Sequence, residues 1–167
     1  HPHLCSMHRF LLLPLCLALL IPQARAQPDT ATIHIARQGC TVDLSVERLR
    51  ALPLREVTVT ERDGAKATYQ GAWLGEVLDH GCDSTARLDK HGTLRAVVKV
   101  TAVDGFTAVV AMAEVSHDFS ERPVLLAWSR NGQRLSERHG PLQLVVPDDR
   151  KTGRNVRQVK MLEVITP

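Results

Sequence analysis

The alternation of apolar and polar residues along the chain predicts a β-rich protein with a few short helices. Segments with strand-like alternation are separated by Asp-Gly, Asn-Gly and proline-containing turns, which favour antiparallel hairpins. The predicted strands lie in 31–36, 56–61, 67–71, the two arms of 93–111, 123–135, 141–147 and 155–165. In the last segment the apolar positions slip once out of strict alternation.

Helical spacing is confined to three short segments that lie between these strands. Residues 44–53 place apolar side chains on one face, with Ser45 as the N-cap and Pro53 at the end. The other two predicted helices are 72–81 and 112–119. Short helices inserted into a mainly antiparallel β protein indicate the α+β class. We find no internal repeat or linker, so the pattern predicts a single domain.

The first 26 residues have the pattern of a secretory signal peptide. A basic start precedes an apolar run from Phe10 to Ile21, and small residues precede the expected cleavage site before Gln27. The residues before Met7 are interpreted as extra to this leader. Because the apolar run is shorter than the ~20 residues of a membrane span, we expect no span after cleavage. The sequence therefore predicts a periplasmic or secreted domain over residues 27–167.

Charge and cysteine content narrow the expected partners. The net charge of +3 falls close to neutrality when Arg9 and Arg25 leave with the leader, and no basic cluster is interleaved with aromatic residues. We therefore expect no nucleic-acid partner. An oxidising compartment permits a disulfide between Cys40 and Cys82, with a reactive thiol or metal ligand as the alternative. No CxxC or Cys/His cluster is present, so no metal site is predicted.

Six motifs follow one another in a fixed order between Leu44 and Val164. They are LSVERLRALP, VTVT, YQGAWLGEVLDHG, VTAVDGFTAVV, PVLLAWSRNGQRLSERHGPLQLVVPDD and VRQVKMLEV. This series resembles the molybdopterin-binding domain of the sulfite oxidase family. The resemblance implies a mixed, β-rich α+β fold of the sulfite oxidase type, in which the strand of the HGPLQLVVP motif borders a cofactor cleft.

The resemblance also implies a molybdenum ligand that is missing from the expected position. In the family's enzymes a cysteine thiolate follows the Thr/Val strand and binds molybdenum, a metal suited to soft ligands. Here Glu61, Arg62 and Asp63 stand in that stretch. The leader has only His8-Arg9 before its apolar run, which is typical of Sec export of an unfolded chain rather than twin-arginine export of a loaded enzyme.

Several residues are candidates for a ligand or cofactor cleft, whereas no catalytic residue is predicted. Basic residues that match the family's phosphate-contacting positions, or lie beside them, can bind an anion, with a solvated rim as the alternative; Gln143 stands where the family favours arginine. Asp104 and Trp73 are further candidates, the first with a turn role and the second with a core role as alternatives. The full candidate set is Arg138, His139, Arg157, Lys160, Asp104 and Trp73.

Two functions from different classes follow from these observations. The first is an exported accessory or sensory module without a cofactor, which binds a small anionic ligand or an envelope protein. The alternative is a molybdopterin-dependent oxidoreductase, or a subunit of one, in the periplasm. The missing thiolate and the Sec-type leader favour the first, because a fold does not by itself determine the chemistry it supports.

Overall fold

The computed structural model describes residues 31–82 and 88–167, which form two β-sheets with short helices between the strands. The strands are β1 Thr32–Arg37, β2 Cys40–Ser45, β3 Arg55–Thr60, β4 Lys66–Trp73, β5 Val97–Ala102, β6 Thr107–Ala111, β7 Leu125–Arg130, β8 Gln133–Arg134, β9 Gln143–Val145 and β10 Val159–Ile165. The predicted signal peptide lies outside the described residues. Within them, no helix has the length and apolar character needed to cross a membrane.

The first sheet has the strand order β2-β1-β10-β5-β6. Strands β1 and β10 are parallel, with His34 opposite Met161, and the other pairs are antiparallel. The pairing of β10 with β5 shifts register between Val159 and Met161. This irregularity explains the slip in the apolar pattern of the sequence, because a bulge sends successive side chains out of strict alternation.

The second sheet is antiparallel, with the order β3-β4-β7-β8 and with β9 also paired to β7. The β4–β7 pairing shifts register between Gln70 and Gly71. A Cβ atom at Gly71 would lie 2.0 Å from the carbonyl oxygen of Leu126. Only glycine permits this close approach of two backbones.

Four α-helices connect the strands of the described region: α1 Val46–Leu49, α2 Leu74–Gly81, α3 Lys90–Arg95 and α4 Met112–Val115. Ser45 caps α1 as predicted, since its Oγ accepts a hydrogen bond of 3.3 Å from the amide of Arg48. The predicted start of this helix at residue 44 was too early, because Leu44 pairs with Ile33 in the first sheet.

Helix α3 was not predicted from the sequence. Its N-cap is Asp89, whose Oδ1 accepts a hydrogen bond of 2.6 Å from the amide of Gly92. None of its residues is buried, so it lacks the apolar stripe by which a helix is recognised in a sequence. The prediction instead started a strand at residue 93, whereas β5 begins at Val97.

The main core lies between the two sheets and the helices. It joins buried side chains of the first sheet, such as Ile35 and Leu162, to Leu126 of the second sheet and Leu78 of α2. A smaller apolar cluster packs around Tyr69 on β3, β4, β7 and β9 of the second sheet. Burial of this apolar surface is the main force that holds the two sheets together.

The structure joins Cys40 and Cys82 in a disulfide, which confirms the predicted pairing. Their Cα atoms are 6.0 Å apart, within the range that a disulfide requires. The bond ties β2 to the residue that follows α2, and Cys82 is completely buried.

Candidate functional site

A cleft of about 610 Å³ opens at one end of the second sheet. Its walls are the residues that follow β3, the ends of β4 and β7, the segment from β8 to β9, and the loop that leads into β10. Arginines outnumber acidic residues in this lining, which contains Arg62, Arg130, Arg134 and Arg157 against Glu61 and Asp63. The cleft is therefore suited to a ligand with negative charge.

Glu61 is held in the cleft wall by two other side chains. Arg130 forms a two-pronged ion pair with its carboxylate, including Nε to Oε1 at 3.1 Å, and the Tyr69 hydroxyl donates to Oε1 at 2.7 Å. The register of β4 and β7 places Tyr69 directly opposite Arg130. The hydrogen bond from Arg130 is the main cause that holds the pKa of Glu61 below its ordinary value, and Tyr69 adds to it against the opposing effect of burial.

His139, which also lines the cleft, belongs to a compact turn between β8 and β9. Its Nδ1 lies 2.9 Å from the Oγ of Ser136, and its backbone amide donates to the Ser136 carbonyl at 2.8 Å. The turn is tied to the loop before β10, because the amide of Gln158 donates to the His139 carbonyl at 3.0 Å. Burial, followed by the positive charges of Arg157 and Arg138, lowers the pKa of His139. The imidazole is therefore neutral at pH 7.

The loop before β10 is fixed by ion pairs as well as by backbone contacts. Arg154 donates to Asp149 at 2.6 Å and to Glu114 of α4 at 3.0 Å. The Asn155 Oδ1 accepts a hydrogen bond of 3.0 Å from the amide of Val146. These contacts position Thr152, Asn155 and the following Arg157 along the cleft.

Gln143 is the buried polar residue of the cleft. It is only 4% exposed, and its Oε1 has no hydrogen-bond partner in the described part of the chain. A buried carbonyl oxygen without a donor costs free energy, typically about 1–3 kcal/mol. A bound group with an N–H or O–H would relieve this cost.

The predicted site residues divide into two groups. The structure brings His139 and Arg157 together in the cleft, and Arg138 lies near enough to His139 to lower its pKa. Lys160 is exposed on β10 and does not line the cleft. Asp104 caps the turn between β5 and β6 on the first sheet, where its Oδ1 accepts a hydrogen bond from the amide of Phe106 at 2.9 Å.

Trp73 lies in a different pocket of about 270 Å³, beside α2 and α4. Its ring meets the ring of His117 edge to face, with centroids 5.5 Å apart. The buried Arg37 lines the same pocket and donates to Asp79 at 3.2 Å. Trp73 is thus a pocket-lining residue, but in a place other than the cleft.

Comparison with known proteins assigns the chain to a protein family. The profile of the family "Oxidoreductase molybdopterin binding domain" matches residues 21–167, which is most of the chain. The chain belongs to this family. The resemblance seen in the six motifs is therefore confirmed, and the cleft lies beside the HGPLQLVVP strand that the family resemblance assigned to it.

The similar proteins described next are considerably longer than this chain. Mitochondrial sulfite oxidases of Rattus norvegicus and Homo sapiens are each 28% identical over 153 residues, covering 76% of this chain and 28% of the relative. The solved sulfane dehydrogenase SoxCD of Paracoccus pantotrophus superposes with a TM-score of 0.63 at 17% identity, covering 84% of this chain and 39% of that chain. The chain thus spans about a quarter of the curated relatives' length, and the SoxCD comparison shows the fold.

The residues of this cleft do not fit the molybdenum centre that the family name implies. Cys40 and Cys82 are bonded to each other, so neither offers the thiolate that the metal requires. The stretch after β3 carries Glu61 instead, and its carboxylate is already engaged by Arg130 and Tyr69. Among the described residues, no group of three or more His, Cys, Asp and Glu side chains is arranged to hold a metal ion.

Several cleft residues were missed by sequence reasoning. Arg130, Ser136 and Asn155 reach the cleft only because strands and loops distant in sequence meet there. The Asn-Gly turn after Arg130 marks the end of a strand, but nothing local indicates that Tyr69 stands opposite. Glu61 and Gln143 were noticed only as departures from the family pattern, and both line the cleft.

Proposed function

We propose that this chain is an exported ligand-binding domain that uses the molybdopterin-binding fold without molybdenum. The observation that carries the proposal is the Glu61–Arg130–Tyr69 network, which occupies the stretch where the family resemblance implies the metal's thiolate. The Glu61 carboxylate is a hard oxygen donor already paired with Arg130, so it does not replace the soft thiolate that the family resemblance implies. The cleft contains more arginines than acidic residues, so it suits a small anionic ligand.

The disulfide supports the exported part of the proposal. Disulfides persist in oxidising compartments and are rare in the cytosol. The Cys40–Cys82 disulfide links the start of β2 to the residue that follows α2. An exported domain of this size that binds a small molecule suits an accessory or sensory role beside an envelope protein that responds to the ligand.

Metal analysis of the full chain, made in a bacterium that synthesises the molybdenum cofactor, tests the proposal. A sulfite oxidase produced in the same cells serves as the matched control and should carry molybdenum in proportion to protein. We expect no stoichiometric molybdenum in this chain and no fluorescence of oxidised pterin after denaturation. Molybdenum at one atom per chain would refute the proposal and favour a molybdopterin-dependent oxidoreductase.

A further inference from the structure

The position of Gln143 beside Arg157 defines a small polar subsite within the cleft. The amide of Leu144 donates to the Val156 carbonyl at 2.8 Å, and the amide of Val159 donates to the Leu142 carbonyl at 3.0 Å. These two bonds hold the β9 segment against the loop before β10, and Gln143 and Arg157 are each next in sequence to a bonded residue. Both side chains line the cleft.

Gln143 offers a hydrogen-bond acceptor without a donor, and Arg157 offers a positive charge without an acidic partner among the described residues. The Oε1 of Gln143 is buried and lacks a donor, whereas Arg157 is exposed and makes no ion pair with any described residue. Buried polar atoms in native proteins nearly always find a partner. A guanidinium in such a position binds a carboxylate or another oxyanion. The subsite therefore suits a ligand with an acid group and a hydrogen-bond donor a short distance apart.

Arg62 adds a second cationic group to the same cleft. It follows β3, it is exposed, and like Arg157 it forms no ion pair within the described residues. Arg130, by contrast, has its charge taken up by Glu61. The cleft thus offers two uncommitted guanidinium groups, which suits a ligand with two acid groups.

We propose that the cleft binds a small hydroxy-acid, with its carboxylate on Arg157, its hydroxyl donating to Gln143 and a second acid group towards Arg62. This inference rests on the proposed function, because it assigns the ligand class of the same cleft. An amino acid is disfavoured in this subsite because its ammonium group would lie beside Arg157. An inorganic anion such as sulfate has no donor for Gln143 and leaves the buried oxygen unsatisfied.

Malate and succinate are suitable probes, because they share two carboxylates and differ by one hydroxyl group. Isothermal titration of the mature exported protein at fixed pH and ionic strength should give a malate Kd at least about tenfold lower than that of succinate, which is a free-energy difference of about 1.4 kcal/mol. Sulfate should bind more weakly than malate. Equal affinities for the two acids, or no binding of either, would overturn the inference.

Two substitutions separate the roles of the subsite residues. Gln143→Leu should abolish the preference for malate while succinate still binds, and Arg157→Gln should weaken both acids by a similar factor. Lys160→Gln is the matched control, since it removes one positive charge from an exposed residue outside the cleft. An Arg157→Gln protein that binds as tightly as the Lys160→Gln protein would contradict the assignment. Because Arg157 is exposed, this comparison remains informative even if Gln143→Leu misfolds.

Failure of the hydroxy-acid assignment can be distinguished from failure of the proposed function. A chain without molybdenum that binds neither acid disproves the ligand class alone, whereas a chain with stoichiometric molybdenum disproves the proposal on which it rests.

Discussion

Reduction of the Cys40–Cys82 disulfide should destabilise the domain by a large and calculable amount. The two cysteines are separated by 42 residues. In the chain-entropy description, closing a loop of this length removes about 13 cal/mol/K from the unfolded state, or about 4 kcal/mol at 25 °C. For a chain of this size, each kcal/mol moves Tm by about 2–4 °C. We therefore expect reduction to lower Tm by about 8–16 °C.

The assay is thermal or urea unfolding of a chain comprising residues 27–167, with and without dithiothreitol, combined with thiol counting. Thiol reagents should find no free thiol before reduction and two per chain after it. The Cys40→Ala/Cys82→Ala variant is the matched control. It should unfold near the midpoint of the reduced protein, and dithiothreitol should not change that midpoint. Full reduction with a change below about 1 kcal/mol would refute the loop-closure reasoning, and two free thiols before reduction would refute the disulfide itself.

Two further predictions concern an ion pair and a close backbone contact. Glu61→Gln should destabilise the protein at pH 7 by about 1 kcal/mol, because Arg130 loses its charged partner while its half-exposed guanidinium remains partly hydrated. Since the folded state lowers the pKa of Glu61, this stabilisation is present above the unfolded pKa of about 4.3 and is lost as pH falls through the folded value. Urea unfolding from pH 7 to pH 3 should show the two proteins converging, and a constant gap would contradict the ion-pair account. Gly71→Ala should cost more than about 3 kcal/mol, because its Cβ would meet a backbone oxygen at 2.0 Å. Gly153→Ala, with no atom within 4 Å of its Cβ, should change stability little; equal effects would contradict the backbone clash.

The fold could be recognised from the sequence because its evidence is local and ordered. Strand alternation, turn dipeptides and the six motifs lie within short windows, and even the bulge near Val159 left a visible slip in the apolar pattern. Helix α3 escaped prediction because it buries no side chain. Strand β2 was not predicted at all, and its last residues, Leu44 and Ser45, were assigned to the helix; only their pairing with β1 shows the strand.

The candidate site was less predictable because it is assembled from distant segments. Arg130 and Glu61 are 69 positions apart and meet only through the β4–β7 register. Trp73 and Asp104 are residue types common in binding sites, but Trp73 lines a different pocket and Asp104 lies in the turn between β5 and β6. Burial of Gln143 likewise depends on the packing of β9 and could not be read from its neighbours in sequence.

The molybdenum content of the protein purified from the cells that naturally produce it tests the central claim most directly. Elemental analysis of the purified protein, normalised to polypeptide, removes any question of whether a foreign host supplied the cofactor. The account predicts molybdenum far below one atom per chain, with the cleft left to a small anion. One molybdenum per chain, accompanied by pterin, would contradict the account and show that the fold binds its family's cofactor without the cysteine.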